Sequence, residues 1–238
     1  KTAIVFLLSY LAIFFQFHLT QKPQLPTADE LGYVRLADNL THRGVLAIGA
    51  ESSTPTPFYP PLYPLFLSGI AKLDTQFASA LVCVGSKEYN IKTTDCAAQY
   101  GTAIYFQLAL GALTLTIIWL AGLVVFKSPA IAALAVLFAL GTGRFGFYGG
   151  VFLTENIFLP LFAGVSLCLV LAVRRHSLPA YAAVGVLIAL AALTRPSGQY
   201  AFFAIVAVLF ATGCIQLWRL RAAKFLLGAL IVVCAYTA

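Results

Sequence analysis

The stretch Tyr105–Phe126, YFQLALGALTLTIIWLAGLVVF, decides the fold: its 22 residues carry no Asp, Glu, Lys or Arg. At about 1.5 Å per residue such a helix is about 33 Å long, enough to cross a hydrocarbon core about 30 Å thick. Further apolar runs follow with short connections: Pro129–Tyr148, Phe152–Val173, Leu178–Leu193, Gln199–Trp218 and Ala222 onward. Upstream lies a shorter run, Ile4–Phe17, and between it and the first long span the chain turns polar and Pro-rich from His18 to about Thr102. The competing reading of the N-terminal run is a cleaved signal peptide, but no small-residue cleavage site follows Phe17. The expected organisation is therefore a first transmembrane helix over residues 1–17, a loop over 18–102, and a bundle of about six further transmembrane helices over 103–238.

Composition agrees. Of 238 residues, 61% are hydrophobic and 10% charged, against about 25% charged in an average soluble domain. The fold class is an all-α polytopic membrane protein. A disordered chain, a disulfide-dense secreted domain and a coiled coil are excluded. The net charge of +7 comes from dispersed basic residues and does not point to nucleic acid. With no Met at position 1 and an apolar run still open at Ala238, the chain is expected to be part of a longer protein.

Orientation follows from Lys and Arg in the short loops. If Lys1 is inside, the inside connections hold Lys127, Arg174, Arg175, Arg219, Arg221 and Lys224, and the opposite ones hold only Arg144 and Arg195. The large loop is then outside, in the periplasm if the membrane is a bacterial inner membrane. Of the eight acidic residues, seven lie in that loop (Asp29, Glu30, Asp38, Glu51, Asp74, Glu88 and Asp95) and the eighth, Glu155, begins the span after Phe152. Carboxylate chemistry is thus placed on the outer face. Cys83 and Cys96 share the loop, where an oxidising compartment permits a disulfide between them; Cys168, Cys214 and Cys234 fall in spans.

Two segments of the loop stand out. The first, Thr27 to Leu40, places Thr27 and Glu30 at capping-box spacing, repeats Leu31, Val34 and Leu40 near helical spacing, and meets a stop at Gly44. It reads as a short amphipathic helix on the membrane surface. Asp29 and Glu30 in its first turn have a plain explanation, since acids there favour the helix dipole. The second, Thr54-Pro55-Thr56-Pro57-Phe58-Tyr59-Pro60-Pro61-Leu62-Tyr63-Pro64-Leu65, must enter a short helix through an extended stretch, because its prolines fix φ and lack donors. It is either a stiff linker or, through Phe58, Tyr59 and Tyr63, an aromatic surface suited to sugar rings or lipid chains.

These motifs resemble the integral-membrane glycosyltransferases of GT-C fold, in particular the bacterial branch related to protein O-mannosyltransferases and the lipid A aminoarabinose transferase. Asp29-Glu30 with Tyr33, Ala37 and Gly44 looks like the acidic motif opening the family's first outer loop, and Tyr59-Pro60-Pro61-Leu62-Tyr63-Pro64 like its Pro-Pro-Leu-Tyr segment. The stretch from Phe106 to Thr114 resembles the next span, Leu153-Thr154-Glu155-Asn156 the outer Thr-Glu pair, and Leu193-Thr194-Arg195-Pro196 the Thr-Arg-Pro turn.

The resemblance implies a GT-C helix bundle that moves a sugar from a polyprenyl phosphate to a glycan, lipid or protein acceptor at the outer face, with inversion. It assigns Asp29 as general base on the acceptor, a role a carboxylate within hydrogen-bond reach of the attacking oxygen can fill. Glu30 and Glu155 are secondary candidates for positioning the acceptor or holding a cation; the plain reading of Glu155 is a carboxylate at a helix start. Tyr59 and Tyr63 are candidates for binding donor or acceptor. The leaving phosphate needs positive charge, and Arg144 and Arg195 oppose the charge bias of their side. Arg43 and Lys72 have less support.

No Walker loop or dinucleotide fingerprint occurs, and His18, His42 and His176 lack metal-ligand spacing. No cofactor or metal site is called beyond the lipid-linked sugar, although a divalent cation on Asp29, Glu30 or Glu155 is left open. Asn39-Leu40-Thr41 fits a glycosylation sequon. Two rival functions differ in class: a non-catalytic scaffold subunit with partner subunits in a larger complex, and a transporter. The transporter would place ionisable groups near the bilayer midplane, whereas here they sit at span ends and in loops.

Overall fold

A computed structural model describes residues 2–20, 28–49, 54–56, 58–85, 100–175, 177–198, 200 and 203–205. Among these residues the chain is helix and turn throughout: α1 (Thr2–Thr20), α2 (Ala28–Arg43), α3 (Leu62–Leu73), α4 (Thr75–Gly85), α5 (Gly101–Phe126), α6 (Pro129–Gly141), α7 (Arg144–Gly149), α8 (Glu155–Arg175) and α9 (Leu178–Ala192). Three of them, α1 over Thr2–Leu19, α5 and α8, are long and apolar enough to cross a bilayer. The protein is an all-α polytopic membrane protein. The expected spans Gln199–Trp218 and Ala222 onward lie largely or wholly outside the described residues.

The chain forms two compact units. One comprises Ala3–Ala112 and Leu140–Asn156; the other contains Leu113–Ala139 and the described residues from Ile157 onward. In the first unit, α2, α3 and α4 pack on one another. The apolar spacing explains why. α3 buries Tyr63, Leu67, Ile70 and Ala71, and α4 buries Phe77, Ala80, Leu81 and Val84, one face of a helix in each case. Thr41 on α2 donates to Ser68 on α3 at 2.9 Å. Gly85 lies so close to Asp38 that a Cβ would sit 2.4 Å from Asp38 Oδ2. α2 stops at Gly44, whose φ of +71° suits glycine and whose N–H reaches Leu40 O at 3.2 Å. Asn39, the sequon asparagine, is 3% exposed and donates to Ala47 O and Gly49 O; its amide is engaged inside the fold.

The helix α4 falls in a region the sequence reads as loop. Its Phe77, Ala80, Leu81 and Val84 have i, i+3, i+4, i+7 spacing, but the run is short and its burial comes from α2 and α3. The apolar run Pro129–Tyr148 is two helices rather than one. Gly143 takes φ +72° between α6 and α7, which turns the chain. Backbone groups at such a break need partners in a membrane, and Gln16 of α1 supplies them: its Nε2 donates to Leu140 O at 3.1 Å, and its Oε1 accepts from Gly146 N at 3.1 Å.

In the second unit, small residues set the packing distance. A Cβ on Gly122 of α5 would lie 2.9 Å from Ala132 Cα of α6, and one on Gly164 of α8 3.2 Å from Leu187 of α9. Val165, Val184 and Ile188 form the buried contact between α8 and α9. Arg174, in the last turn of α8, donates to the carbonyls of Val124 and Val125, which end α5.

Candidate functional site

The candidate site is built in the first unit from the start of α2, α3, the head of α5 and the turn leading into α8. Asp29 and Glu30 occupy the first turn of α2, and the 100° step between neighbouring helical residues sends them in different directions. Asp29 is exposed, whereas Glu30 is half-buried. Burial pushes the Glu30 pKa up, and the nearby backbone N–H of Phe152 offsets part of that rise. Thr27, the other half of the expected capping box, lies outside the described residues.

Tyr63 stands at the centre. Its side chain is 0% exposed, its hydroxyl donates to Gln107 Oε1 at 2.6 Å, and Gln107 Nε2 donates to Gly149 O at 2.9 Å. The Asn156 side chain and those of Glu30, Tyr33 and Glu155 lie within its electrostatic reach. Burial raises the Tyr63 pKa well above the ordinary tyrosine value, so the phenol stays protonated and donates. Asn156 ties the turn to itself as well, donating to Val151 O at 3.0 Å and Leu153 O at 3.2 Å. Phe152 is locked from the other side, its ring edge-on to Tyr100 at 4.9 Å and tilted against Phe77 at 6.0 Å.

The expected aromatic surface is corrected in one respect. Tyr63 has no open ring face for a sugar or lipid, because it is enclosed by Tyr33, edge-on at 5.4 Å, and by Phe66. Tyr59 is half-buried, edge-on to Tyr33 at 5.0 Å, with its ring over Gly32, where a Cβ would meet Tyr59 Cζ and Oη at 2.6 Å. Phe58 is the exposed aromatic of this segment, at 78%.

Glu155 opens α8, half-buried, and accepts from Thr154 Oγ1 at 3.4 Å. Arg144 opens α7 and is exposed. Arg195 belongs to the second unit, where its guanidinium lies over the Phe158 ring, 6.0 Å from the centroid. Cys83 is disulfide-bonded, Cys168 is a free thiol, and Cys96 lies outside the described residues. Among the described residues no three His, Cys, Asp or Glu side chains come together as metal ligands. Sequence reading assigns no role to Gln107, Asn156 or the Phe152 N–H. A signal existed for Gln107 alone, as the one amide in an otherwise apolar span.

Three helices long and apolar enough to cross a bilayer, in a chain whose described residues are otherwise helix and turn, define a polytopic membrane protein. Residues 99–237, more than half of the chain, match the dolichyl-phosphate-mannose-protein mannosyltransferase family, and the protein belongs to that family. It is an integral-membrane glycosyltransferase of GT-C type that uses a polyprenyl-phosphate sugar donor. The match includes Gln107, Arg144, Glu155 and Arg195, and begins downstream of Asp29, Glu30, Tyr59 and Tyr63. No curated protein and no solved structure matches the chain.

Proposed function

We propose that the protein transfers a sugar from a polyprenyl phosphate to an acceptor hydroxyl at the outer face of the membrane, in one inverting displacement with Asp29 as general base. The observation that carries the assignment is the contrast within the first turn of α2. Asp29 is exposed, where an acceptor can reach it, while Glu30 is half-buried. In the step, the acceptor oxygen bonds to the anomeric carbon as the bond from that carbon to the phosphate oxygen breaks. The phosphate leaves with the electron pair, and the acceptor proton passes to the Asp29 carboxylate.

Arg144, in the same unit as Asp29, is the cation assigned to the leaving phosphate, on the grounds of charge and membrane side. Glu30 and Glu155 position the acceptor, with Tyr59 and the exposed Phe58 offering ring surface to it. The disulfide at Cys83 supports an oxidising compartment for this loop, and the basic inside connections support the same orientation. The lipid-linked sugar is the only co-substrate the reaction needs.

The test is transfer of radiolabelled mannose from polyprenyl-phosphate mannose to membrane acceptor material by the full-length protein and by Asp29→Asn, at matched expression. The expected result is a fall in transfer on the order of 10²–10⁴-fold, the range for losing a positioned general base. Transfer within a few-fold of the unsubstituted protein overturns the Asp29 assignment. Absence of transfer by either protein across a panel of donor sugars favours the scaffold reading.

A further inference from the structure

We infer that Gln16 of α1 is a positioning residue for the donor phosphate, acting through the backbone of the short helix α7 that carries Arg144. The inference rests on the proposed function for the role of Arg144, whereas the seating of α7 stands on its own geometry.

α7 has six residues, Arg144–Gly149, too few for a helix to hold its shape unaided. Two side-chain amides from neighbouring helices fix it. Near its start, Gln16 bridges the break that precedes it, donating to Leu140 O at 3.1 Å and accepting from Gly146 N at 3.1 Å. At its end, Gln107 of α5 donates to Gly149 O at 2.9 Å. Between these bonds the backbones lie close together. Gly146, Gly149 and Gly150 share one face through their i, i+3, i+4 spacing. A Cβ on Gly146 would lie 2.9 Å from Gln16 Cγ and 3.2 Å from Phe17 N, one on Gly150 would lie 2.8 Å from the Phe17 ring, and one on Gly149 would overlap the Leu108 side chain. α7 is thus seated on α1 and α5 by fit as well as by hydrogen bonds.

Arg144 is the first residue of α7, two positions before Gly146, and its side chain is exposed. Among the described residues no carboxylate forms an ion pair with it, so its charge is open to an anion. Direct contacts also tie α7 to the helix that bears Asp29. Gln107, which grips Gly149, accepts from the Tyr63 hydroxyl at 2.6 Å, and the Tyr63 ring meets Tyr33 of α2 edge-on at 5.4 Å. A cation on a loose segment loses affinity to the ordering that binding demands, and a segment already held in place avoids that loss. Gln16 supplies the hold through Gly146 N; the Leu140 carbonyl has a second donor in Gly143 N, so the bond to Gly146 is the one on which α7 depends.

The experiment measures binding of radiolabelled polyprenyl phosphate, without sugar, to the purified full-length protein in lipid nanodiscs, as a double-mutant cycle. Arg144→Ala is expected to weaken binding about tenfold, the worth of one hydrogen bond to a charged group. Gln16→Leu is expected to weaken it several-fold when Arg144 is present and by less than about twofold in the Arg144→Ala background, because its effect passes through that arginine. Gly146→Ala keeps the amide but forces α7 off Gln16 and Phe17; it is expected to give the same pattern, and it covers the case in which Gln16→Leu folds poorly. The stability cost of Gln16→Leu is expected to be equal in both backgrounds, which separates positioning from general loosening. Equal weakening of binding by Gln16→Leu with and without Arg144, or no weakening by either Gln16→Leu or Gly146→Ala, overturns the inference. Unchanged binding in Arg144→Ala overturns it as well, together with the phosphate assignment.

Sugar transfer by the same proteins distinguishes this inference from the functional reading. Coupled binding with no transfer by the unsubstituted protein preserves the positioning role and removes the enzymatic one. Transfer that depends on Asp29, with additive effects on binding, does the reverse.

Discussion

Replacing Gln16 by Leu removes an amide from the last two turns of a membrane helix and is expected to destabilise the protein, against the usual trend for apolar substitutions in lipid. The two bonds it makes are not equivalent. Leu140 O also accepts from Gly143 N at 3.1 Å, so it keeps a partner, and the loss there is that of an average interhelical bond in a membrane, about 0.6 kcal/mol. Gly146 N belongs to the first turn of α7, where backbone N–H groups have no intrahelical acceptor. Stranding a buried donor costs about 1–3 kcal/mol, so the substitution as a whole costs about 2–3 kcal/mol, with the larger part at α7. The assay is equilibrium unfolding of the purified full-length protein in mixed micelles, titrating dodecyl sulfate into a mild detergent and following helical circular dichroism. A Gln16→Leu protein within about 0.5 kcal/mol of the original refutes the claim that the Gly146 N–H depends on Gln16 for its acceptor.

Other expectations follow from the same contacts. Arg174→Leu removes two donors from the carbonyls ending α5 and is expected to cost about 1 kcal/mol, discounted because the arginine is exposed; Arg174→Lys recovers only part of it in the same unfolding titration, since an ammonium lacks the paired guanidinium nitrogens. Asp74 is held below the usual aspartate range, first by the Thr102 hydroxyl and then by the N–H groups of Gln76 and Phe77, which it caps at the head of α4. A depressed folded pKa contributes stability that is present above the ordinary aspartate value and lost as pH falls through the folded value. Hydrogen exchange in the first turn of α4 is therefore expected to quicken relative to α3 on acidification through that range, and the pH dependence to vanish in Asp74→Asn. Persistence of the dependence in Asp74→Asn refutes the cap.

How far the site was legible depended on whether its parts are local. The first turn of α2 and its stop at Gly44 follow from residue types within a few positions, and the structure gives Ala28–Arg43 with Gly44 at φ +71°. The entry through Pro60 and Pro61 into a helix ending at Leu73 was equally local, because proline restricts its own φ and its predecessor. The division of labour between Asp29 and Glu30 was not legible. Adjacent carboxylates look alike in sequence, and only the packing around the start of α2 distinguishes the half-buried one from the exposed one. Tyr63 misled for a related reason: an aromatic beside prolines reads as surface until the helices that enclose it are known.

The sequence by itself determined that this is a helical membrane protein and where the long apolar helices α1, α5 and α8 lie, because hydropathy and length are properties of consecutive residues. The tertiary structure alone decided that Gln16 completes a broken helix 124 residues away, and that Tyr63 and Gln107, 44 residues apart, share a proton donor and acceptor. A hydrogen bond is directional and short, so its partner is chosen by how the helices pack, and no periodicity along the chain encodes that choice.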